Sequence, residues 1–193
     1  MQNPVVGTGR DLSASSNSRK SKQRKGNRLP GHNYSTEGWY YVTTCAYDRA
    51  PWFGVCIDGF MNRSQAGHIV ENQWRWLSRY PYVRLDQFVV MPNHFHGILV
   101  IDPARQELTE SLTCLERTGR DLSLHAKVKS LSELVGAFKM TSSKRIHELG
   151  NRDFAWQRSF HDHIIRDESD LARIREYIRS NPENWETDEL KDM

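Results

Sequence analysis

The sequence predicts an α+β fold of the ferredoxin-like split βαβ type, in which an antiparallel sheet carries helices on one face. Runs rich in β-branched and aromatic residues, typical of strands, alternate with segments whose apolar residues recur at helical spacing. Along the chain these segments follow the order strand, helix, strand, strand, helix, strand, which is the order of the split βαβ fold. A Pro-Asn turn gives the two middle strands a tight connection.

The individual elements follow from these patterns and from their end signals. The first strand is rich in Tyr, Val and Thr. A last helix follows the sheet strands; Asp167 or Ser169 can cap its start, and it cannot continue beyond Asn181 because Pro182 follows. The expected strands cover about 39–47, 83–91, 94–101 and 156–165, and the expected helices cover about 64–79, 131–149 and 170–181.

The 193 residues suffice for one domain with its own core. Residues 1–27 are poor in apolar residues and are expected to be a disordered basic arm. The folded domain is expected over 28–187, with a polar insertion at about 102–130 and a tail over 188–193. Residues 118–123 repeat residues 8–13 letter for letter, which suggests a repeated DNA element inserted into the gene.

Composition limits the class of protein and its cellular compartment, but it does not indicate a particular function. A formal charge of +3 does not by itself indicate a nucleic-acid binder. The three cysteines form no C-x-x-C pair, which favours a reducing cytosol. Since the chain shows neither a signal peptide nor an apolar stretch long enough to cross a membrane, we expect a soluble cytoplasmic protein.

The basic residues of the arm are concentrated in one short run. Such a run is either a solvated tail or an arm that binds phosphates, and the second interpretation suits an enzyme that acts on DNA. Its members are Arg19, Lys20, Lys22, Arg24 and Lys25.

His94 and His96 flank Phe95 on the predicted 94–101 strand. Because strand side chains alternate, the two imidazoles should share one face, about 6–7 Å apart along the backbone. Two imidazoles on a rigid strand can hold one divalent cation and leave positions open for a substrate. The alternative is that each is an ordinary polar residue of a half-exposed strand.

Tyr177 and Asn181 lie four residues apart at the end of the last helix. They should therefore share one flank of its final turn, beside the apolar stripe. A phenol and a carboxamide in this arrangement suit a nucleophile and an oxygen ligand for a cation. The alternative is that Tyr177 is a rim residue of an amphipathic helix.

Four ordered motifs together resemble the REP-associated tyrosine transposases, bacterial members of the single-tyrosine HUH transposases. The resemblance covers roughly residues 28–187 and rests on the segments 28–34, 90–98, 156–166 and 175–182. It implies the same ferredoxin-like architecture and a transposase that cleaves and rejoins single-stranded DNA at hairpin-forming, palindrome-like repeats. It also implies a cytoplasmic, nucleoid-associated protein that is a monomer or a homodimer.

The resemblance gives each motif residue a role. Tyr177 would attack the DNA and form a covalent 5′-phosphotyrosine, and a cation held by His94, His96 and Asn181 would activate the phosphate. Imidazole and carboxamide ligands lean toward Mn²⁺, whereas cellular abundance favours Mg²⁺. Zn²⁺ is less expected because no thiolate pair accompanies the histidines.

A second His-x-His pair, His161 and His163, ends the last predicted strand. The family pattern has an aromatic residue at the first position and a histidine at the second. We therefore interpret His163 as a supporting residue next to the metal ligands and His161 as incidental. An exchange of roles between the two pairs remains an alternative.

Three further basic residues match positions that are basic in the family. Lys139, Arg158 and Arg166 are expected near the DNA, although ordinary surface charge is the alternative for each of them.

Two other functions also stay open at this point. One is a repeat-DNA-binding protein without turnover, and the other is a metal-dependent nuclease without a covalent intermediate.

Overall fold

The computed structural model describes residue 29 and residues 31–106 and 127–191. The predicted arm over 1–27 and both copies of the six-residue repeat lie outside these residues. So does most of the predicted insertion, residues 107–126.

The described residues form a four-stranded antiparallel sheet, a separate hairpin and three α-helices. The strand order in the sheet is β4-β5-β1-β6, so the split βαβ topology predicted from the sequence is confirmed. The strands are β1 (Gly38–Cys45), β2 (Gly54–Ile57), β3 (Phe60–Arg63), β4 (Val83–Val90), β5 (His94–Ile101) and β6 (His161–Ile165). The helices are α1 (Gln65–Trp76), α2 (Leu131–Glu148) and α3 (Glu168–Ser180), with short 3₁₀ helices at Leu77–Arg79 and Trp185–Thr187.

Two local features differ from the prediction. The β2–β3 hairpin was not predicted, although Asp58 and Gly59 (φ +51° and +76°) form the kind of Asp-Gly turn that signals a hairpin. The last strand begins at His161 rather than near 156. Trp156 only bridges to Ala46 of the segment after β1, because the residues between form a loop.

The main core fills the space between one sheet face and the helices α1 and α2. Trp74, Phe95 and Phe138 are buried and in mutual ring contact there, with centroids 4.7–5.3 Å apart. Gly97 lets α1 approach β5, because a Cβ at that position would lie 2.8 Å from the Trp74 ring. The two helices of the split βαβ unit therefore lie on one face, as predicted.

Helix α3 packs on the opposite face of the sheet. Asp167 caps it by accepting a hydrogen bond from the Asp170 amide at 2.8 Å. Its apolar stripe, together with Ile98 and Ile165 of the sheet, forms a second and smaller core. His94 and His96 alternate in phase with Ile98, so α3 lies on the face that carries the two imidazoles. In the described parts of the chain, no helix has both the length and the apolar character needed to span a bilayer.

Candidate active site

The two histidines of β5 lie side by side in the interior. Their ring centroids are 4.6 Å apart, and both side chains are buried. β5 is a central strand, paired with β4 on one side and with β1 on the other. The imidazoles therefore stand on a rigid backbone. They also share one face of the sheet, as strand alternation predicted.

Neighbouring side chains orient each ring through its Nδ1 atom. His94 Nδ1 lies 2.7 Å from Asn93 Oδ1, while the Asn93 amide nitrogen donates to backbone carbonyls. His94 therefore carries its proton on Nδ1 and has a free lone pair on Nε2. The hydroxyls of Tyr41 and Thr43 lie 2.7 and 2.9 Å from His96 Nδ1 and fix the orientation of that ring.

Burial also keeps both rings neutral. Desolvation lowers the pKa of His94 to about 4, against an opposing effect of Asp188. The pKa of His96 falls well below its usual value, because the ring is desolvated and lies beside His94. A neutral imidazole with a free Nε2 lone pair is the form that binds metal ions.

Asp188 joins the two histidines, and sequence reasoning missed it. Its Oδ2 lies 3.6 Å from His94 Nε2, and its side chain is only 4% exposed. Ligand atoms of His94, His96 and Asp188 all lie within 4.8 Å of one another, so this group can hold a metal ion. From the sequence alone, residues 188–193 are interpreted as a tail. An isolated acidic residue after the last helix has no recognisable spacing from the other site residues that would single it out.

Four buried side-chain atoms of this site have no hydrogen-bond partner among the described residues. Buried polar atoms are normally paired, so four together indicate a site built for a missing positive partner. Two imidazole nitrogens, a carboxylate oxygen and a carboxamide oxygen fit a divalent cation such as Mn²⁺ or Mg²⁺. The atoms are Nε2 of His94, Nε2 of His96, Oδ2 of Asp188 and Oδ1 of Asn181.

Tyr177 stands at the mouth of the same site. Its ring centroid lies 5.4 Å from that of His96, and the side chain is 45% exposed. Burial of part of the ring raises the pKa of Tyr177; the nearby Asp188 carboxylate adds to the rise and the Asn181 side chain opposes it. The phenol is therefore protonated at neutral pH when no cation is bound.

The site opens into a cavity of about 740 Å³. Such a volume admits a nucleotide-sized group. Besides His96, Tyr177, Asn181 and Asp188, the lining includes Arg49 and His161. The residue pair predicted on the last turn of α3 thus lines the same cavity as His96 of β5.

The second histidine pair is divided between two environments. His161 lines the cavity, although the sequence treated it as incidental. His163 Nε2 lies 2.7 Å from Asp170 Oδ2 and so ties the first turn of α3 to β6. Neither residue belongs to the described group that can hold a metal. His163 reaches the site only through neighbours, namely α3 and its cross-strand partner Tyr41, and its supporting role stays a prediction.

The predicted DNA-binding residues also differ among themselves. The Lys139 ammonium is partly buried and donates to the carbonyl oxygens of Gln157 and Ser159, so it holds the loop that forms one cavity wall. Desolvation lowers its pKa to about 8. Arg158 and Arg166 are exposed. The five basic residues of the run at 19–25 lie outside the described residues.

Comparison with solved structures defines the fold class. A REP-associated tyrosine transposase bound to a REP hairpin superposes with a TM-score of 0.50 at 17% identity, covering 80% of this chain and 72% of that chain. A candidate transposase from Deinococcus radiodurans R1 gives a TM-score of 0.43 at 14% identity, covering 78% and 94%. The chain has the fold of the REP-associated tyrosine transposase, as its motifs predicted.

A sequence relative places the chain in a family. An uncharacterized protein of Haemophilus influenzae is 33% identical over 168 residues, which are 86% of this chain and 92% of that protein. The chain belongs to the same family as this protein. No family model matches the chain.

Proposed function

We propose that the protein is a transposase that cleaves and rejoins single-stranded DNA through a covalent bond to Tyr177. One observation carries the proposal: Tyr177 lines the same cavity as three residues with unpartnered ligand atoms, His96, Asn181 and Asp188, and the fourth such residue, His94, lies directly beside His96. The fold shared with a REP-associated tyrosine transposase supports it independently. The metal ligands proposed are His94, His96, Asn181 and, beyond the set expected from the sequence, Asp188.

A divalent cation bound to these residues would withdraw charge from a non-bridging oxygen of the scissile phosphate. Mn²⁺ and Mg²⁺ are the proposed ions, and the two nitrogen ligands favour Mn²⁺. The residues around the site contribute fixed geometry, because both imidazoles are held through Nδ1 and one Asp188 oxygen is held by the Leu190 amide.

In the proposed step, the Tyr177 oxygen attacks the phosphorus in line with the leaving 3′-oxygen. A bond from phosphorus to the tyrosine oxygen forms and the bond from phosphorus to the 3′-oxygen breaks. The phenolic proton passes to solvent at the open side of the ring, and the 3′-oxygen leaves as a hydroxyl after gaining a proton. The resemblance to the transposase family supplies this polarity.

Rejoining follows from the same chemistry in reverse. The phosphotyrosine keeps the energy of the cleaved phosphodiester, so a 3′-hydroxyl can attack it and release Tyr177 without ATP. The half-exposed position of Tyr177 leaves room for an incoming strand. Hairpin-forming repeat DNA is the proposed substrate, in line with the REP hairpin bound by the structural relative.

Incubation with a single-stranded hairpin DNA and Mn²⁺, followed by denaturing electrophoresis, tests the proposal. A protein–DNA adduct that survives denaturation and is absent for Tyr177→Phe is the expected result. Cleavage without an adduct would instead indicate a metal-dependent nuclease. Retention of DNA without cleavage would indicate a binding protein without turnover.

A further inference from the structure

The chain after α3 folds back over the beginning of β5. We call residues 184–191 the C-terminal segment. The Leu190 carbonyl oxygen accepts two hydrogen bonds, from Arg49 Nη1 and from Asn93 Nδ2, each 3.0 Å long. Asn93 Nδ2 also donates to the Lys191 carbonyl at 3.2 Å.

Leu190 connects these bonds to the Asp188 carboxylate. The Leu190 amide donates to Asp188 Oδ1 at 2.7 Å, which leaves Oδ2 directed at His94. The two backbone polar groups of Leu190 therefore have different roles. The amide orients the Asp188 carboxylate, and the carbonyl oxygen is held by Arg49 and Asn93. Displacement of Leu190 would move the carboxylate away from His94.

Polar contacts of this kind dominate the docking of the segment. No residue of the C-terminal segment is a buried member of either hydrophobic core. Trp185 contributes a loose ring contact to His94, with centroids 6.0 Å apart. Hydrogen bonds to Leu190 are therefore a large share of what holds Asp188 in place.

Arg49 is placed for this contact by an unusual backbone conformation. It follows β1 in a tight turn, closed by a 3.3 Å hydrogen bond from its amide to the Ala46 carbonyl, and has φ +59°. Non-glycine residues rarely adopt this region, and such outliers concentrate at functional sites. The turn directs the guanidinium into the wall of the cavity.

We infer that Arg49 is a positioning residue for the cation site, which together with Asn93 clamps Leu190 and so holds Asp188 against His94. This inference rests on the proposed function only in taking His94, His96 and Asp188 as cation ligands. Asn93 then has two tasks, since it orients the His94 ring through Oδ1 and holds the segment through Nδ2. Arg49 has only the second, which makes it the cleaner residue to test.

The experiment measures Mn²⁺ binding by isothermal titration calorimetry on the full chain without DNA. The variants are Arg49→Met, Arg49→Lys, Asp188→Asn and the double variant Arg49→Met/Asp188→Asn. Arg49→Met should weaken binding about 10-fold or more, as loss of a residue that supports a metal ligand does. Arg49→Lys should recover part of the loss, because a lysine can still donate to the Leu190 carbonyl. Arg145→Met, at an exposed position on α2, is the matched control and should bind Mn²⁺ like the wild type.

The double variant decides whether Arg49 acts through Asp188. If it does, Arg49→Met should cause no further loss of Mn²⁺ affinity once Asp188 is replaced. Hydrogen exchange on the metal-free protein gives a second readout: the Leu190 amide should exchange faster in Arg49→Met, and Arg49→Lys should slow it again.

Each contrary outcome has its own meaning. Wild-type Mn²⁺ affinity in Arg49→Met would overturn the inference and leave a direct contact with DNA phosphate as the role of Arg49. Additive losses in the double variant would overturn it as well. Equal Mn²⁺ affinity of wild type and Asp188→Asn would remove Asp188 from the ligands and so overturn the inference, whereas no binding by the wild type would overturn the cation site on which the proposed function depends.

Discussion

At the scale of single residues, the site combines deep burial with unpaired polar atoms. Leaving a buried polar atom without a partner costs about 1–3 kcal/mol. His94, His96, Asn181 and Asp188 each carry such an atom, and a cation bound among them would provide a partner for all four. The neutral state of both histidines makes them ready to bind one.

Tyr177→Phe should separate DNA binding from chemistry. The change removes only a hydroxyl from a half-exposed ring, so the fold and the affinity for a hairpin should stay near wild type. Cleavage and adduct formation should disappear, because the attacking oxygen is gone. Gel shift and denaturing electrophoresis on one DNA measure the two properties, and normal cleavage by this variant would contradict the mechanism.

Cleavage titrated against Mn²⁺ should rank the candidate ligands. His94→Ala and His96→Ala should abolish cleavage, since water cannot replace an imidazole fixed on a strand. Asn181→Ala should raise the Mn²⁺ concentration needed more than it lowers the maximal rate, because excess cation can compensate for one neutral ligand.

The second histidine pair supplies the controls for that titration. His161→Ala should be nearly silent, although the residue lines the cavity. His163→Ala should cause a partial loss, because it frees the first turn of α3 from β6. Loss of activity in both variants together with an active His96→Ala would show that the ligand pair has been misassigned.

At the scale of elements, α3 is the part that brings Tyr177, the proposed nucleophile, to the proposed metal ligands. Its apolar stripe rests on the sheet through a core of five buried residues, and Arg175 adds two 2.8 Å bonds to Asp86 of β4. This core is small, so the position of Tyr177 relative to His96 depends on few contacts. The stripe consists of Leu171, Ile174 and Ile178.

Ile174→Ala should therefore impair cleavage beyond its effect on stability. Loss of a buried isoleucine costs about 2–5 kcal/mol of unfolding free energy, and here it loosens the helix that carries Tyr177. Ile146→Ala in α2 is the matched control, because it removes a similar side chain from the opposite face. Urea unfolding measures stability, and cleavage well below the unfolding transition measures function. Equal cleavage by the two variants would mean that α3 docking does not limit the reaction.

At the scale of the whole molecule, the site joins two distant stretches of the chain. β5 carries His94 and His96, whereas the end of α3 and the C-terminal segment that follows it carry Tyr177, Asn181 and Asp188. In the proposed function, DNA has to reach this site on a protein whose formal charge is only +3. The basic arm is the part of the sequence best suited to attract it.

Deletion of residues 1–27 should lower DNA affinity and flatten its salt dependence. Each phosphate contact on single-stranded DNA contributes about 0.7 to the slope of log K against log salt, so loss of the five basic residues of the run lowers the slope by at most about 3.5, and Arg10 can add about 0.7 to the effect of the deletion. A full-length variant with glutamine at those five positions should behave like the deletion. An unchanged slope in both would show that the run makes no phosphate contacts.

Sequence alone determined the order of the sheet strands and helices of this protein and the local residue pairs within them. Alternation on β5 placed His94 and His96 on one face, and helical spacing placed Tyr177 beside Asn181, because both patterns depend only on backbone geometry within a few residues. The order of elements likewise predicted the sheet topology. The missed β2–β3 hairpin had a local signal in Asp58-Gly59, so that omission was avoidable.

Only the tertiary structure decided which distant groups meet. In the folded chain, α3 packs on the sheet face that carries His94 and His96, and Asp188 lies next to His94. Lys139 holds a loop of the cavity wall by hydrogen bonds. None of these contacts follows a period, because each joins segments that are far apart in the chain and is set by how the layers pack. Periodicity describes a backbone over one or two turns, whereas a metal site depends on side chains that folding alone brings together.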